Sequence, residues 1–292
     1  MDSLECVPNV SEGRRPEVVA RLAAAAASIP GARVLDVSSD PDHNRSVLTL
    51  AGSADALHQA LLALYETALA EIDLTRHQGV HPRLGAVDVV PFVPLGTTPM
   101  AAAVAAAEQL AREVAERFAL PVYLYEQAAR QSGRRLLAEI RRGGFEGLAA
   151  KMADPAWAPD AGPSHPHPTA GASVIGARFF LIAFNALLDT ANVEVARAVA
   201  RRVRESGGGL PAVRAMGVYL ASRGQAQVSM NLVDFRRTPL VTALDRVRHE
   251  AAALGSRVTE TEVIGLVPEE AALDVVRDAL QLPGFAADRV LR

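Results

Sequence analysis

From Ser173 onward the apolar residues switch between a period of two and a period of 3.6, in an order that few folds accommodate. Ser173–Asn185 is a long apolar strand, bent near Gly176. Asn192–Glu205 is helical and stops at Gly207–Gly209. Val213–Leu220 and Ala226–Phe235 are strands joined by Arg223–Gly224. Pro239–Leu254 is a helix with Thr238 as its cap, Arg257–Leu266 is a strand, and a last helix runs from near Glu269 to Pro283–Gly284. The resulting order, β-α-β-β-α-β, is that of a ferredoxin-like unit, whose helices cover one face of a sheet.

The first half repeats the order. Leu4–Val7 is a strand, Pro16–Ser28 a helix, and Arg33–Val37 and Arg45–Ala51 are strands. A helix capped by Ser53 carries Leu57, Leu61, Leu64, Ala68 and Ile72 on one face, and Ala86–Phe92 is the next strand. An α-β-α extension follows: a helix opened by Thr98–Pro99, a strand over Pro121–Tyr125, and a short helix over Arg134–Arg141. The expected fold class is therefore α+β, with two ferredoxin-like (βαββαβ) subdomains, the first extended, over residues 1–170 and 171–292. A doubly wound nucleotide-binding sheet is disfavoured, because Gly171–Arg178 lacks the G-x-G-x-x-G spacing and no P-loop is present.

Composition narrows the function. Half of the 292 residues are hydrophobic, which supports a large core, yet only 4% are aromatic, so that core is built from small aliphatic contacts. A net charge of -3 with short, scattered arginine pairs, Arg141–Arg142 among them, excludes a nucleic-acid footprint. One cysteine, Cys6, allows neither an internal disulfide nor a thiolate metal cluster, and reads as a buried strand residue. No apolar run is long enough to span a membrane, and the start, Met1–Glu5, is acidic rather than leader-like. The expectation is a cytoplasmic protein with neither membrane nor nucleic-acid partners.

Three stretches hold more polar groups than their local structure needs. Ser38–Arg45 places Asp40, His43, Asn44 and Arg45 between two strands: an ordinary Asx-rich turn, or the rim of a polar site. Arg76–Asp88 packs His77, His81, Arg83 and two glycines between an apolar helix and an apolar strand. Pro82 holds His81 extended and so aims its imidazole, which can accept and return a proton near neutral pH. A metal is not expected: His77 and His81 would align only on a helix, which Gly79 and Pro82 oppose. Pro159–Gly171 is a long Pro/Gly loop, either a linker or a stiff loop against a flat, partly apolar ligand. In the second half Gln225, Gln227, Ser229 and Asn231 share one strand face, which faces solvent or a cleft; Arg178, Asn185 and Glu262 are strand-borne polar groups that suit such a cleft.

Several segments together resemble one family. Glu5–Gly13, Asn44–Gly52, His77–Asp88 with its His-Pro-Arg core, Pro91–Pro94, Pro121–Glu126, Gly176–Arg178, Leu181–Asn185, Gln227–Leu232 and Gly265–Pro268 are similar, in order, to glutamate formimidoyltransferase, which also forms the N-terminal part of formiminotransferase-cyclodeaminase. The resemblance implies two ferredoxin-like subdomains with a ligand cleft between them, a homodimer, and transfer of a formimidoyl group between N-formimidoyl-L-glutamate and the co-substrate tetrahydrofolate. It implies His81 as the catalytic residue. It makes Asp160, Gly162, Pro163, Ser164, His165, Pro166, His167, Pro168, Thr169, Ala170 and Gly171 the folate-binding segment.

For the donor, the polar residues above are the expected contacts: Asp40, Asn44, Arg45, Arg83, Arg178, Asn185, Gln227, Ser229, Asn231 and Glu262. Arg83 could instead brace its own loop. The chain departs from the family at Val80, where Glu is common, and at Ala161, where Phe is common. A missing carboxylate beside His81 makes the imidazole less basic. A different formimidoyl or formyl donor, and a folate-binding protein without turnover, remain open alternatives.

Overall fold

The computed structural model describes residues 3–290; Met1, Asp2, Leu291 and Arg292, the ends of the two expected domains and part of the acidic start, lie outside the described residues. The chain is α+β and divides into two compact units, one ending at Arg178 and the other beginning at Phe179. Among the described residues no helix is long and apolar enough to cross a membrane.

In the first unit, β1 (Leu4–Cys6) and β2 (Asn9–Val10) lie end to end between β4 (Arg45–Gly52) and β5 (Val87–Pro94), antiparallel to both. The hairpin partner of β4, β3 (Arg33–Asp40), is an edge strand. Helices α1 (Pro16–Ala27), α2 (Ala54–Glu71) and α3 (Met100–Phe118) supply the apolar side chains that pack with Leu4, Leu48, Leu50, Val90 and Phe92 into the main core. Ser53 caps α2 as its sequence suggests, its hydroxyl accepting the Ala56 N–H at 3.3 Å. Thr98 does not cap α3; its hydroxyl accepts the Ser3 N–H at 3.0 Å, and Pro99 occupies the cap position.

Beyond β5 the sheet continues with β7 (Ser173–Ala177) and then β6 (Val122–Glu126), all parallel. This corrects the reading of Ser173–Asn185 as one bent strand. Every residue of β7 is buried: Val174 packs in a second cluster with Tyr123, Tyr125, Ile140 and Leu148, while Ile175 and Ala177 join the main core. A strand buried on both faces is apolar throughout, so composition alone does not mark where it ends. The expected boundary after residue 170 therefore falls too early, because β7 belongs to the first sheet. The expected extension is also longer than α-β-α, since α4 (Leu137–Ile140) and α5 (Leu148–Met152) precede β7.

The second unit has β8 (Ile182–Leu188), α6 (Val193–Val203), β9 (Val213–Leu220), β10 (Gln225–Leu232), α7 (Leu240–Ala252), β11 (Val258–Ile264) and α8 (Glu269–Leu280). Its antiparallel sheet has the order β11-β8-β10-β9. One face of β10, through Ala226, Val228, Met230 and Leu232, packs into the helical core. Thr238 is not a helix cap either: it donates its hydroxyl to the Pro211 carbonyl at 2.6 Å.

One close approach fixes the entry to β5. A Cβ on Gly85 would lie 2.1 Å from the Ala172 carbonyl oxygen, a main-chain atom with nowhere to go. G85A should lower stability by about 1–3 kcal/mol in urea unfolding. G133A, where nothing lies within 4 Å, should leave it nearly unchanged.

Candidate functional site

Asp88, on β5 and 0% exposed, organises the polar interior of the first unit. Its Oδ2 accepts from Arg45 Nη1 at 2.6 Å and from Arg141 Nη2, and its Oδ1 accepts from the Leu84 N–H at 2.7 Å and the Gly85 N–H at 3.3 Å. Burial by itself raises a carboxyl, but the Arg141 and Arg45 charges, with the Leu84 amide, hold Asp88 well below the usual carboxylate range. Arg45, on β4, is lowered by burial to about 10, with Asp88 opposing that shift, so it stays charged at neutral pH. Two guanidinium groups and one carboxylate leave this interior net positive.

The turn between β3 and β4 docks on the loop that carries His81. Val80 N–H donates to the Asp42 carbonyl at 3.1 Å. Asn44, in the left-handed region with φ 47, accepts the Gly13 N–H at 2.9 Å on its side-chain oxygen and donates its amide to the Gln78 carbonyl at 2.9 Å. The His77 ring donates Nε2–H to the Asn44 carbonyl at 2.8 Å. Gly79 lies so close that a Cβ there would meet the His43 carbonyl oxygen at 2.3 Å.

Within this frame His81 Nδ1 lies 2.7 Å from the Pro82 carbonyl oxygen. A carbonyl only accepts, so Nδ1 carries the hydrogen and Nε2 is left with its lone pair. The ring is half-buried but closely packed. Burial lowers its proton affinity well below the ordinary imidazole, and Arg45 and Arg141 add to the effect, with Asp88 opposing them. His81 is therefore a neutral imidazole with an unprotonated Nε2 at neutral pH. Its lowered value also means that it favours the folded state above pH 6.5, a contribution that falls away as acid protonates the unfolded chain first.

The Pro159–Gly171 loop is held at both ends. Asp160 accepts from Arg134 Nη1 and from the Leu124 N–H, both at 2.9 Å, and Arg134 itself is buried over the Tyr123 ring. Gly162, with φ 88, lies against the Leu120 carbonyl. The far end joins the His81 loop: Ala86 N–H donates to the Ala170 carbonyl at 3.0 Å, Ala172 N–H to the Leu84 carbonyl at 3.2 Å, and Leu74 N–H to the Thr169 carbonyl at 2.8 Å. His167 Nδ1 accepts the Ala170 N–H at 3.1 Å, which makes Nε2 its donor nitrogen. Ser164, His165 and Pro168 are exposed, and Pro163 and Pro166 are half-buried.

In the second unit Glu262, Asn185 and Ser229 stand in register on three neighbouring strands, and Asn185 donates to Glu262 at 3.3 Å. Gln227 and Asn231 flank Ser229 on the same face. Gln227 is 1% exposed, yet neither end of its amide has a partner among the described residues.

The sequence profile described as "Formiminotransferase domain, N-terminal subdomain" matches residues 3–178, and that described as "Formiminotransferase domain" matches residues 183–281. The chain belongs to the formiminotransferase domain family. It is 43% identical to a glutamate formimidoyltransferase of Streptococcus pyogenes, over 97% of this chain and 94% of that protein. It is 44% identical to one of Thermoplasma acidophilum, over 100% and 96%. A formimidoyltransferase-cyclodeaminase of Gallus gallus is 42% identical over 93% of this chain, which spans 51% of that longer protein.

For a formiminotransferase domain, several side chains expected at ligands have internal duties here. Asp40 accepts the Asp42 and His43 main-chain N–H groups, Asn44 and Arg45 are bonded as above, and Asp160 holds Arg134. Arg83 bonds Glu146 at 2.7 Å and the His77 carbonyl at 3.2 Å, bracing its loop. Arg178 N–H donates to the Phe92 carbonyl at 2.9 Å, and its charge reaches Glu5 and Tyr125. Sequence reasoning gave no role to Asp88 or Arg141. Asp88 ended a motif as an ordinary strand residue, and Arg141 sat in an arginine pair whose partner is 53 positions away.

D88N removes the charge that Arg45 and Arg141 share. It should cost about 3–5 kcal/mol in denaturant unfolding. Because the folded carboxyl lies below its ordinary value of 3.8, the parent's advantage over D88N should be full above that pH and shrink as acid titrates the folded group.

Proposed function

We propose that this chain is a glutamate formimidoyltransferase that carries the formimidoyl group from N-formimidoyl-L-glutamate to tetrahydrofolate, giving 5-formimidoyltetrahydrofolate and L-glutamate. The observation that carries the reading is His81, a neutral imidazole with Nε2 available as a base, in a chain 43–44% identical along nearly its whole length to proteins of that name.

N5 of tetrahydrofolate attacks the amidine carbon, forming a C–N bond. His81 Nε2 takes the N5 proton as the tetrahedral adduct forms, then returns it to the glutamate nitrogen as the old C–N bond breaks. A weakly basic histidine gives the proton back readily, and Val80, standing where a carboxylate is common, adds no charge to oppose that. The net positive interior around Arg45 and Arg141 suits a donor with two carboxylates. Arg178 and the row of Asn185, Gln227, Ser229, Asn231 and Glu262 are the proposed polar contacts to the donor. The Gly162–Gly171 loop is the proposed folate contact through its exposed Gly162, Ser164, His165 and Pro168, with His167 Nε2–H as a donor and Gly162 letting the main chain approach a flat ring. Asp40, Asn44, Arg45, Arg83 and Asp160 act in this reading by holding those loops. The ferredoxin-like description of both units, on their strand orders, and a cytoplasmic homodimer acting on small molecules, with no nucleic-acid or membrane partner, belong to the same proposal.

The purified chain should transfer the group from N-formimidoyl-L-glutamate to tetrahydrofolate, and H81A should reduce kcat by about 10²–10⁴ with an unchanged circular dichroism spectrum. Turnover only with formimidoylglycine would move the donor. Tight tetrahydrofolate binding with no turnover from either donor would overturn the catalytic reading.

A further inference from the structure

The ammonium of Lys151, on α5, is turned back onto the end of α4. Its Nζ donates to the Glu139 and Ile140 carbonyls, both at 2.6 Å, and to the Arg142 carbonyl at 3.4 Å. The last carbonyls of a helix have no partner within it, and a cation close to them completes the helix end. Helix α4 has only four residues, too few to hold itself, so what caps it decides where the chain goes next. The clamp is anchored on its far side: Nζ lies 3.8 Å from the centre of the Trp157 ring, and the Trp157 carbonyl accepts the hydroxyl of Tyr123, on β6, at 2.7 Å.

The residue between the gripped carbonyls of Ile140 and Arg142 is Arg141. Its Nη2 bonds Asp88, while its Nε is buried with no hydrogen-bond partner among the described residues. A guanidinium held in this way takes its direction from its own main chain, and Lys151 fixes that main chain on both sides. The charged groups around Lys151 are Glu139 and Arg142 at the end of α4 and Arg134, whose guanidinium also lies over the Trp157 ring. Burial, then Arg142, lowers the ammonium to about 8, with Glu139 opposing, so it stays charged at neutral pH.

We propose that Lys151 is a positioning residue of the transfer site: by holding the main chain on either side of Arg141, it keeps that guanidinium on Asp88 and within electrostatic reach of His81. Around His81 stand Arg45 on β4, Asp88 on β5, Arg141 after α4, and His43 in the turn between β3 and β4 with Asp40 and Asp42 beside it. His77 and the Arg83–Glu146 pair lie on or against its own loop. Of these, Arg141 is the group that Lys151 controls. Loss of the clamp takes one positive charge away from His81 and leaves Asp88 facing a single guanidinium, and both changes favour the protonated ring. The inference rests on His81 being the transfer base, but its direct test does not need turnover.

The test is a site-resolved NMR titration of the His81 ring in the full chain, with the signal assigned by its loss in H81Q. The parent is compared with K151M, R141Q and the double variant. K151M keeps the length of the side chain and removes its charge and donors. It should raise the proton affinity of His81 roughly threefold, about half a pH unit, in the same direction as R141Q. In the double variant the rise should be no greater than in R141Q alone, because two residues that act through one contact do not add. The acid limb of kcat/KM should follow the titration, and the emission of Trp157, the one tryptophan in the sequence, should change as the ammonium leaves its face. K151Q, whose amide ends one bond short of the ammonium, takes the place of K151M if that variant does not fold, with the same direction expected. A His81 titration unchanged in the Lys151 variant, or a shift that adds in full to that of R141Q, would overturn the proposal. A shifted His81 in a chain that transfers no formimidoyl group would sink the functional reading and leave the clamp on Arg141 standing.

Discussion

The buried carboxylate of Asp88 is the contact on which the rest of the first unit depends. It gathers Arg45 from β4, Arg141 from beyond α4 and two amides at the entry to β5. A buried pair is stabilising only when its geometry and remaining hydrogen bonds are satisfied. Here one oxygen serves the arginines and the other serves the main chain. Burial is the first reason that His81 is weakly basic, and the same group adds to it, since one carboxylate does not offset two guanidinium charges.

Chemistry and scaffold are thus coupled through the main chain rather than through ligand contacts alone. The amides that Asp88 holds belong to Leu84 and Gly85, and Leu84–Ala86 is also the seam that accepts the end of the Gly162–Gly171 loop. A disturbance at the carboxylate therefore reaches the base and the loop at once. Val80, 45% exposed, offers no charge that would counter this.

The fold was legible where residues obey a local rule. Alternation marked the β3–β4 hairpin and the polar face of β10, Ser53 marked the start of α2, and glycines marked the turns. It was not legible at β7, since a strand apolar on both faces looks like the run that follows it, and only pairing with β5 and β6 separates them. Among the candidate site residues, His81 stood out because Pro82 and the crowding of His, Arg and Gly around it are local. Asp88, Arg141 and Arg134 did not, because their ion-pair partners lie 26 to 53 positions away. Of the arginines expected at ligands, Arg45 shares the carboxylate of Asp88 with Arg141 and Arg83 pairs with Glu146, contacts that no local pattern in the sequence announces.

The central claim is that His81 works as a neutral base whose affinity for protons is depressed first by burial and then by the Arg45 and Arg141 charges, with Asp88 opposing them. The pH dependence of kcat/KM for formimidoyl transfer tests it most directly, measured on the parent and on R141Q, since its acid limb reports the free enzyme's base. The account predicts an acid limb clearly below the ordinary imidazole value of 6.5, moving upward in R141Q as one of the two guanidinium charges is removed. A limb at or above 6.5 that does not respond to R141Q would contradict it.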